Sequence, residues 1–216
     1  MLNSKALGSI VAIIALIGFG VSMGKFSARQ NQDTLPPNIP GLLWPQGKAL
    51  QAFSMDDQND NEFDLNKLSD KWSFLFFGYT SCPDICPITM TILDQLYLKL
   101  GTNMANADVQ MIFVSVDPIR DNSEKLKAYV SYFNTDFFGL GGSIEQIKSL
   151  TEQIGISFIY EQADSDGNYL IGHTSSIFLI DPQGQMRAIF SQPHLVDDIL
   201  SRFLKIRTLI EKESAS

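Results

Sequence analysis

This chain is poor in the residues that most often carry chemistry. Among 216 residues there are two cysteines, two histidines and two tryptophans. The four N or S ligands of a structural zinc site would have to be drawn from that set, and four thiolates are out of reach. Acidic residues are missing from the first 30 positions, where Lys5, Lys25 and Arg29 are the only charged side chains. Residues 31–216 therefore hold all 24 Asp and Glu but 13 of the 16 Lys and Arg, a net charge of −11. A body so acidic repels phosphate backbones, which argues against nucleic acid as a partner. Internal repeats and low-complexity tracts are lacking. With 44% hydrophobic and 19% charged residues the chain is globular rather than disordered or fibrous. Its length suits one domain with an appendage.

The appendage is the uncharged run 6–24, ALGSIVAIIALIGFGVSMG. At ~1.5 Å per residue such a helix reaches ~28 Å, close to the ~30 Å hydrocarbon core of a bilayer. No small-x-small cleavage pattern closes the run, and no cysteine follows it for lipid attachment. The expectation is an uncleaved, single transmembrane helix within an N-terminal membrane anchor at 1–29. Basic residues flank both ends, so charge alone leaves its orientation open. Residues 30–47 hold four of the nine prolines and read as an extended tether. The body is then 48–212.

Within the body, 73–79 (SFLFFGY) and 109–116 (VQMIFVSV) are apolar runs of the kind found in strands buried on both faces. Between them, 87–100 has helix-spaced Ile88, Ile92, Leu93, Leu96 and Leu100, with Gly101 placed as a C-cap. That is a βαβ unit. Asp121-Asn122-Ser123-Glu124 opens a second helix with capping-box spacing, and Ser143-Ile144-Glu145-Gln146 opens a third that stops at Gly155. Strands follow at 156–160 and 176–180. The turn Asp181-Pro182-Gln183-Gly184 joins the latter to a hairpin partner at 186–190, and an amphipathic helix at 195–212 closes the chain. The fold class is α/β: a βαβ half and a ββα half around a central mixed sheet, the thioredoxin-like order, with a helical and hairpin insertion.

Chemistry in an open α/β sheet concentrates where a strand ends and its helix begins. Here that junction reads Gly78-Tyr79-Thr80-Ser81-Cys82-Pro83-Asp84-Ile85-Cys86-Pro87 and contains both cysteines, four positions apart. Pro87 suits the first helical position, which puts Cys86 close to the N-cap and Cys82 in the loop before it. The partial positive charge of a helix N-terminus favours thiolates there. Two such sulfurs can bind a soft metal or close a redox-active disulfide. A purely structural bridge over so short a loop removes little unfolded-state entropy. With few ligands and soft donors, Cu(I) is the best-matched metal, with Cu(II) a second form.

A third ligand would have to be His173 or His194. His173 precedes the strand 176–180, and in a thioredoxin-like sheet the loop entering that strand faces the cysteine loop. From spacing alone it is either that ligand or an ordinary surface or core histidine. His194, after Pro193, reads as a solvated or capping residue. Asp84, between the cysteines, is too hard a donor for Cu(I). It reads as a turn residue, or as a carboxylate that steadies Cu(II) or steers a partner. Asp117 and Arg120 either shape the edge of the site or build a turn.

The segments GYTSCPDICP (78–87), SVDPIRD (115–121), FFGLGGSIEQI (137–147) and GHTSSIFLIDPQG (172–184) resemble the Sco/SenC family of copper-binding, membrane-anchored assembly proteins. The motif order matches across about 50–203. The resemblance implies a thioredoxin-like fold and a copper site of Cys82, Cys86 and His173. It also implies delivery of copper to the copper-binding subunit of cytochrome c oxidase or another periplasmic cuproprotein. Other copper chaperones or thioredoxin-like reductants would be further partners. The implied location is the inner membrane with the body facing the periplasm, or the intermembrane space in a mitochondrion. Many members carry Asp before the histidine; here the position is Gly172. That leaves open which group orients the imidazole.

The chief rival is a membrane-tethered thiol-disulfide reductase that keeps a client's cysteines reduced. Against it as sole function stand the CxxxC spacing, where oxidoreductases of this fold use CxxC, and the lack of any proline between Pro118 and Pro182 to sit opposite the cysteines. A peroxidase is a third reading, without assignable supporting residues. The sequence thus reads as a metallochaperone rather than an enzyme.

Overall fold

The computed structural model describes residues 40–41, 44–103 and 108–214. In chain order the strands and helices are β1 (Lys48–Ala49), β2 (Ser54–Asp57), β3 (Glu62–Asp64), β4 (Trp72–Gly78), α1 (Ile85–Asn103), β5 (Val109–Ser115), α2 (Ser123–Phe133), β6 (Phe138–Gly141), α3 (Ile144–Ile154), β7 (Phe158–Tyr160), β8 (Ile171–His173), β9 (Ile177–Ile180), β10 (Gln185–Phe190) and α4 (Val196–Ser214). Eight strands form one sheet in the order β1-β10-β9-β4-β5-β6-β2-β3. β4, β5 and β6 run parallel, and β9 pairs antiparallel with β4, so the sheet is mixed. β4-α1-β5 is the expected βαβ unit and β9-β10-α4 the ββα unit. The fold is thioredoxin-like. β7 and β8 stand apart as a two-stranded ribbon.

Every residue of β4 and β5 is buried, as the uninterrupted apolar runs require. The polar Gln110 survives inside β5 because its Nε2 donates to Ser73 Oγ at 2.8 Å and to the Lys67 carbonyl at 3.0 Å. On one face Phe203 of α4 meets Trp72 and Phe74 edge-on, with centroids 5.5 and 5.1 Å apart. The closing helix therefore covers the start of β4 and leaves its C-terminal end for the site. α3 opens on the Ser143–Gln146 capping box and stops at left-handed Gly155, φ 84°, where only glycine is free of strain.

Several expectations are corrected. α1 starts at Ile85 and runs through Gly101 to Asn103; one glycine costs a helix only about 1 kcal/mol, too little to stop it. The cap of α2 is Asn122, whose Oδ1 accepts from Lys125 N at 2.9 Å. Asp121 faces inward instead. His194 is not solvated: it is buried, and its Nε2 lies 3.1 Å from the Phe190 carbonyl that accepts its proton. The short strands β1–β3, β6 and β8 have too few residues to show a period. The expected anchor at 6–24 and most of the tether at 30–47 lie outside the described residues. Among the described residues no helix is long and apolar enough to cross a membrane.

Candidate metal centre

The chain leaves the C-terminal end of β4 through Tyr79, and Cys82 N donates to the Tyr79 carbonyl at 3.1 Å, closing a tight turn. α1 begins three residues later. Ile88 N reaches the Asp84 carbonyl at 3.4 Å, so Asp84 holds the N-cap position. Pro87 is the third helical residue rather than the first. It costs nothing there, because the first N–H groups of a helix have no internal acceptor. This puts half-buried Cys82 just outside the helix start and fully buried Cys86 in its first turn.

Gly78, the last residue of β4, is required by close approach. A Cβ there would lie 2.8 Å from Cys86 Sγ and 2.9 Å from the Phe113 ring. The bare backbone lets the sulfur settle onto the end of the strand.

His173 is the last residue of β8, on the ribbon and not in a loop as the sequence suggests. Its Nε2 stands 3.6 Å from Cys86 Sγ. The Cys82 and Cys86 sulfurs and an imidazole nitrogen all lie within 4.8 Å of one another, and among the described residues no other group of three His, Cys, Asp or Glu gathers in this way. Both thiols are free. Nδ1 of His173 is 3.1 Å from the Thr174 carbonyl. A carbonyl can only accept, so Nδ1 carries the proton and the Nε2 lone pair faces the sulfurs. The orienting group that Gly172 cannot supply is thus a main-chain oxygen, which no sequence pattern reveals. The Tyr79 and Phe76 rings flank the imidazole edge-on at 6.0 and 6.2 Å.

The two sulfurs are electrostatically unlike. Donation from the Cys86 thiol, with smaller help from the Asp84 and Cys86 backbone N–H groups, brings Cys82 down to about 3 against the opposing effect of burial. Cys86 moves up, chiefly because its proton is held by Cys82 and further because burial disfavours a second charge. The pair therefore carries one negative charge and one shared proton. Burial also raises the Tyr79 phenol, and the nearby Cys82 and Cys86 add to the shift.

Asp84 has an exposed side chain outside the three-donor cluster; its contribution to Cys82 is the backbone N–H. Asp117 is fully buried, forms an ion pair with Arg120 and accepts from the Tyr169 hydroxyl at 2.7 Å. It belongs to the surroundings of the site and not to the cluster. The sequence reading missed Asp121. Its carboxylate accepts from Thr80 N at 2.9 Å, Thr80 Oγ1 at 2.6 Å and Ser115 Oγ at 2.6 Å, tying the cysteine loop to the end of β5. Its place in SVDPIRD was visible, but the same spacing also suits a helix cap. Tyr79 and Tyr169 were missed too, because a tyrosine beside an apolar run looks like core. His194, buried and bonded to the Phe190 carbonyl, takes no part.

Two sulfurs and one imidazole nitrogen, converging without a hard donor among the described residues, suit a soft monovalent ion of low coordination number. Residues 45–208 match the family model described as SCO1/SenC. An SCO2-like protein of Rickettsia prowazekii is 35% identical over 203 residues, covering 92% of this chain and 98% of its own length. The solved structure of Arabidopsis thaliana ScoI with copper bound superposes with a TM-score of 0.69 at 30% identity, covering 73% of this chain and 97% of that one. Copper-bound ScoI of Bradyrhizobium japonicum gives 0.66 at 28% identity, covering 73% and 99%.

Proposed function

The chain belongs to the SCO1/SenC family, and from that premise we propose that it is a copper carrier. It holds Cu(I) on Cys82, Cys86 and His173 and passes it to a receiving cuproprotein, with the copper-binding subunit of cytochrome c oxidase as the expected client. The observation that carries this reading is the convergence of two sulfurs and one imidazole nitrogen within 4.8 Å. The donors fit the cargo: both sulfurs are soft, the imidazole is held in the metal-binding tautomer, and among the described residues no carboxylate joins the cluster. Cys86 is sealed beneath the loop, while Cys82 and His173 are partly open. A client's ligands would thus displace Cys82 or His173 first and Cys86 last, and the ion moves through shared-ligand states without being released.

The same reading takes 6–24 as a membrane anchor, 30–47 as the tether and 48–212 as the copper-binding domain. It places that domain on the periplasmic side of an inner membrane, or in the intermembrane space. A second reading has one observation in its favour. Cys82 is a partly exposed thiolate beside a buried partner thiol, the arrangement of a dithiol reductant that cycles through a Cys82–Cys86 disulfide.

The test is an anaerobic Cu(I) titration of the reduced protein against a chromophoric chelator, alongside His173→Ala. One tightly held ion per chain, weakened by the substitution, is the expected result. A wild type that cannot compete for Cu(I) would overturn the carrier reading, and reduction of a disulfide substrate by the same sample would favour the reductase.

A further inference from the structure

His173 is carried by a ribbon that shares no strand pairing with the eight-stranded sheet, whereas both cysteines are rooted in it through β4 and α1. The metal centre is therefore complete only if something outside the sheet holds the ribbon down. We propose that Asp117, Arg120 and Tyr169 are positioning residues that form this latch, and that the β7–β8 ribbon is an arm which brings His173 to the cysteines when the latch is closed. The proposal rests on the copper reading for its purpose, though not for its geometry.

The chain leading into β8 makes the connection. Tyr169 lies two residues before β8, in a segment still tied to the chain after β7 by Glu161 N to the Leu170 carbonyl at 2.9 Å and Asp164 N to the Asn168 carbonyl at 2.8 Å, and Ile171 is buried. Fixing Tyr169 therefore fixes the entry to the short strand that ends in His173. Tyr169 is gripped at three points. Its hydroxyl donates to Asp117 Oδ1 at 2.7 Å, its carbonyl accepts from Arg120 Nη1 at 2.8 Å, and the Arg120 guanidinium lies 3.6 Å from its ring centroid. Asp117 is itself paired with Arg120 through Oδ2.

On the facing strand the Tyr160 hydroxyl donates to the Val116 carbonyl at 2.8 Å, one residue before Asp117. Nearer the site, the Tyr79 ring meets the His173 imidazole edge-on at 6.0 Å, so the cysteine loop and the arm also touch directly. Asp117 is outside the three-donor cluster, so the latch positions the donors and does not ligate the ion. Besides holding the arm, the Arg120 guanidinium lies 5.4 Å from the ring of Tyr79, which flanks the imidazole. A buried carboxylate–guanidinium pair is poor evidence for stability as such, since its desolvation offsets most of its attraction. Here each partner also contacts Tyr169, and that shared target is what a plain turn would not need.

The experiment uses Tyr169→Phe, which removes one hydroxyl and keeps the ring, with Asp117→Asn as a second break and His173→Ala as the reference background. Cu(I) affinity is read by competition, ligand type by the sulfur-to-nitrogen ratio in X-ray absorption, and the arm by the His173 ring signals in NMR of the metal-free protein. The expected result is a Tyr169→Phe protein with an intact sheet, broadened His173 signals, about tenfold weaker Cu(I) binding and a lower nitrogen contribution. The double variant Tyr169→Phe/His173→Ala should bind no more weakly than His173→Ala alone. An equal loss in both backgrounds would overturn the latch, because the tyrosine would then be acting on the whole fold. Unchanged ring signals in the metal-free protein would overturn it even if the wild type bound no copper, so its failure is separable from that of the carrier reading. Should Asp117→Asn fail to fold, Tyr169→Phe still decides.

Discussion

A single methyl group at Gly78 tests whether the metal centre depends on how closely its strand and helix approach. In Gly78→Ala the new Cβ would sit 2.8 Å from Cys86 Sγ and 2.9 Å from Phe113 Cε2. Comfortable contact begins near ~3.5 Å, so roughly 0.6–0.7 Å must be opened. The sulfur is the end of a side chain on the first turn of α1, while Phe113 sits in the middle of the core, so the sulfur yields more. Overpacking of this kind costs about 1–3 kcal/mol. For a chain of this length that corresponds to a fall of about 2–12 °C in melting temperature. Metal sites tolerate ligand displacements of only about 0.2 Å, so Cu(I) affinity should fall by at least about tenfold. Gly172→Ala is the control. Its nearest neighbour would be the Ile159 carbonyl at 4.0 Å, an ordinary contact, so stability and copper binding should both be unchanged. Thermal melts and Cu(I) competition on the two variants decide. If Gly78→Ala matched the wild type in both assays, the claim that Cys86 is set by contact with β4 would be wrong.

Other consequences follow from the same geometry. Because Cys82 is already a thiolate at neutral pH, with its value near 3, and Cys86 retains the shared proton, loading both sulfurs should release one proton. Cu(I) affinity should then rise about tenfold per pH unit between pH 7 and 8; a flat profile or a hundredfold slope would contradict the one-proton pair. Asp121→Ala strips the acceptor from three donors at Thr80 and Ser115, and urea unfolding should show a loss of about 3 kcal/mol or more. His194→Ala should lower stability by about 1–3 kcal/mol while leaving one copper per chain, and a lost copper would reassign the third ligand. Burial pushes the His194 imidazole down, so the unfolded chain takes up its proton first. Part of the wild type's stability is therefore present above about pH 6.5, is lost as the pH falls below it, and should be missing from the variant.

The features legible in the sequence were those with a short-range cause. Uninterrupted apolar runs foretold β4 and β5, because strands covered on both faces need no polar alternation. Capping chemistry placed α3 to the residue, since the Ser143–Gln146 exchange is made within four positions. The same local logic misjudged Gly101, whose cost of about 1 kcal/mol is too small to end a helix, and Asp121, whose carboxylate serves three donors at Thr80 and Ser115 in place of a cap. His194 looked exposed because its acceptor, the Phe190 carbonyl, is a main-chain atom without a sequence signature.

At the metal centre the division is similar. The sequence by itself determined the chemistry: two thiols at a strand-to-helix junction and a histidine among motifs that resemble one family set which donors exist and that they are soft. Tertiary structure alone decided their arrangement. Contact across 87 positions brings Cys86 to His173, the bare backbone of Gly78 admits the sulfur, the Thr174 carbonyl chooses the tautomer, and Asp117, Arg120 and Tyr169 hold the strand that carries the imidazole. Each of these depends on distance and direction between segments far apart in the chain, and such quantities come into being only when the sheet has closed around them.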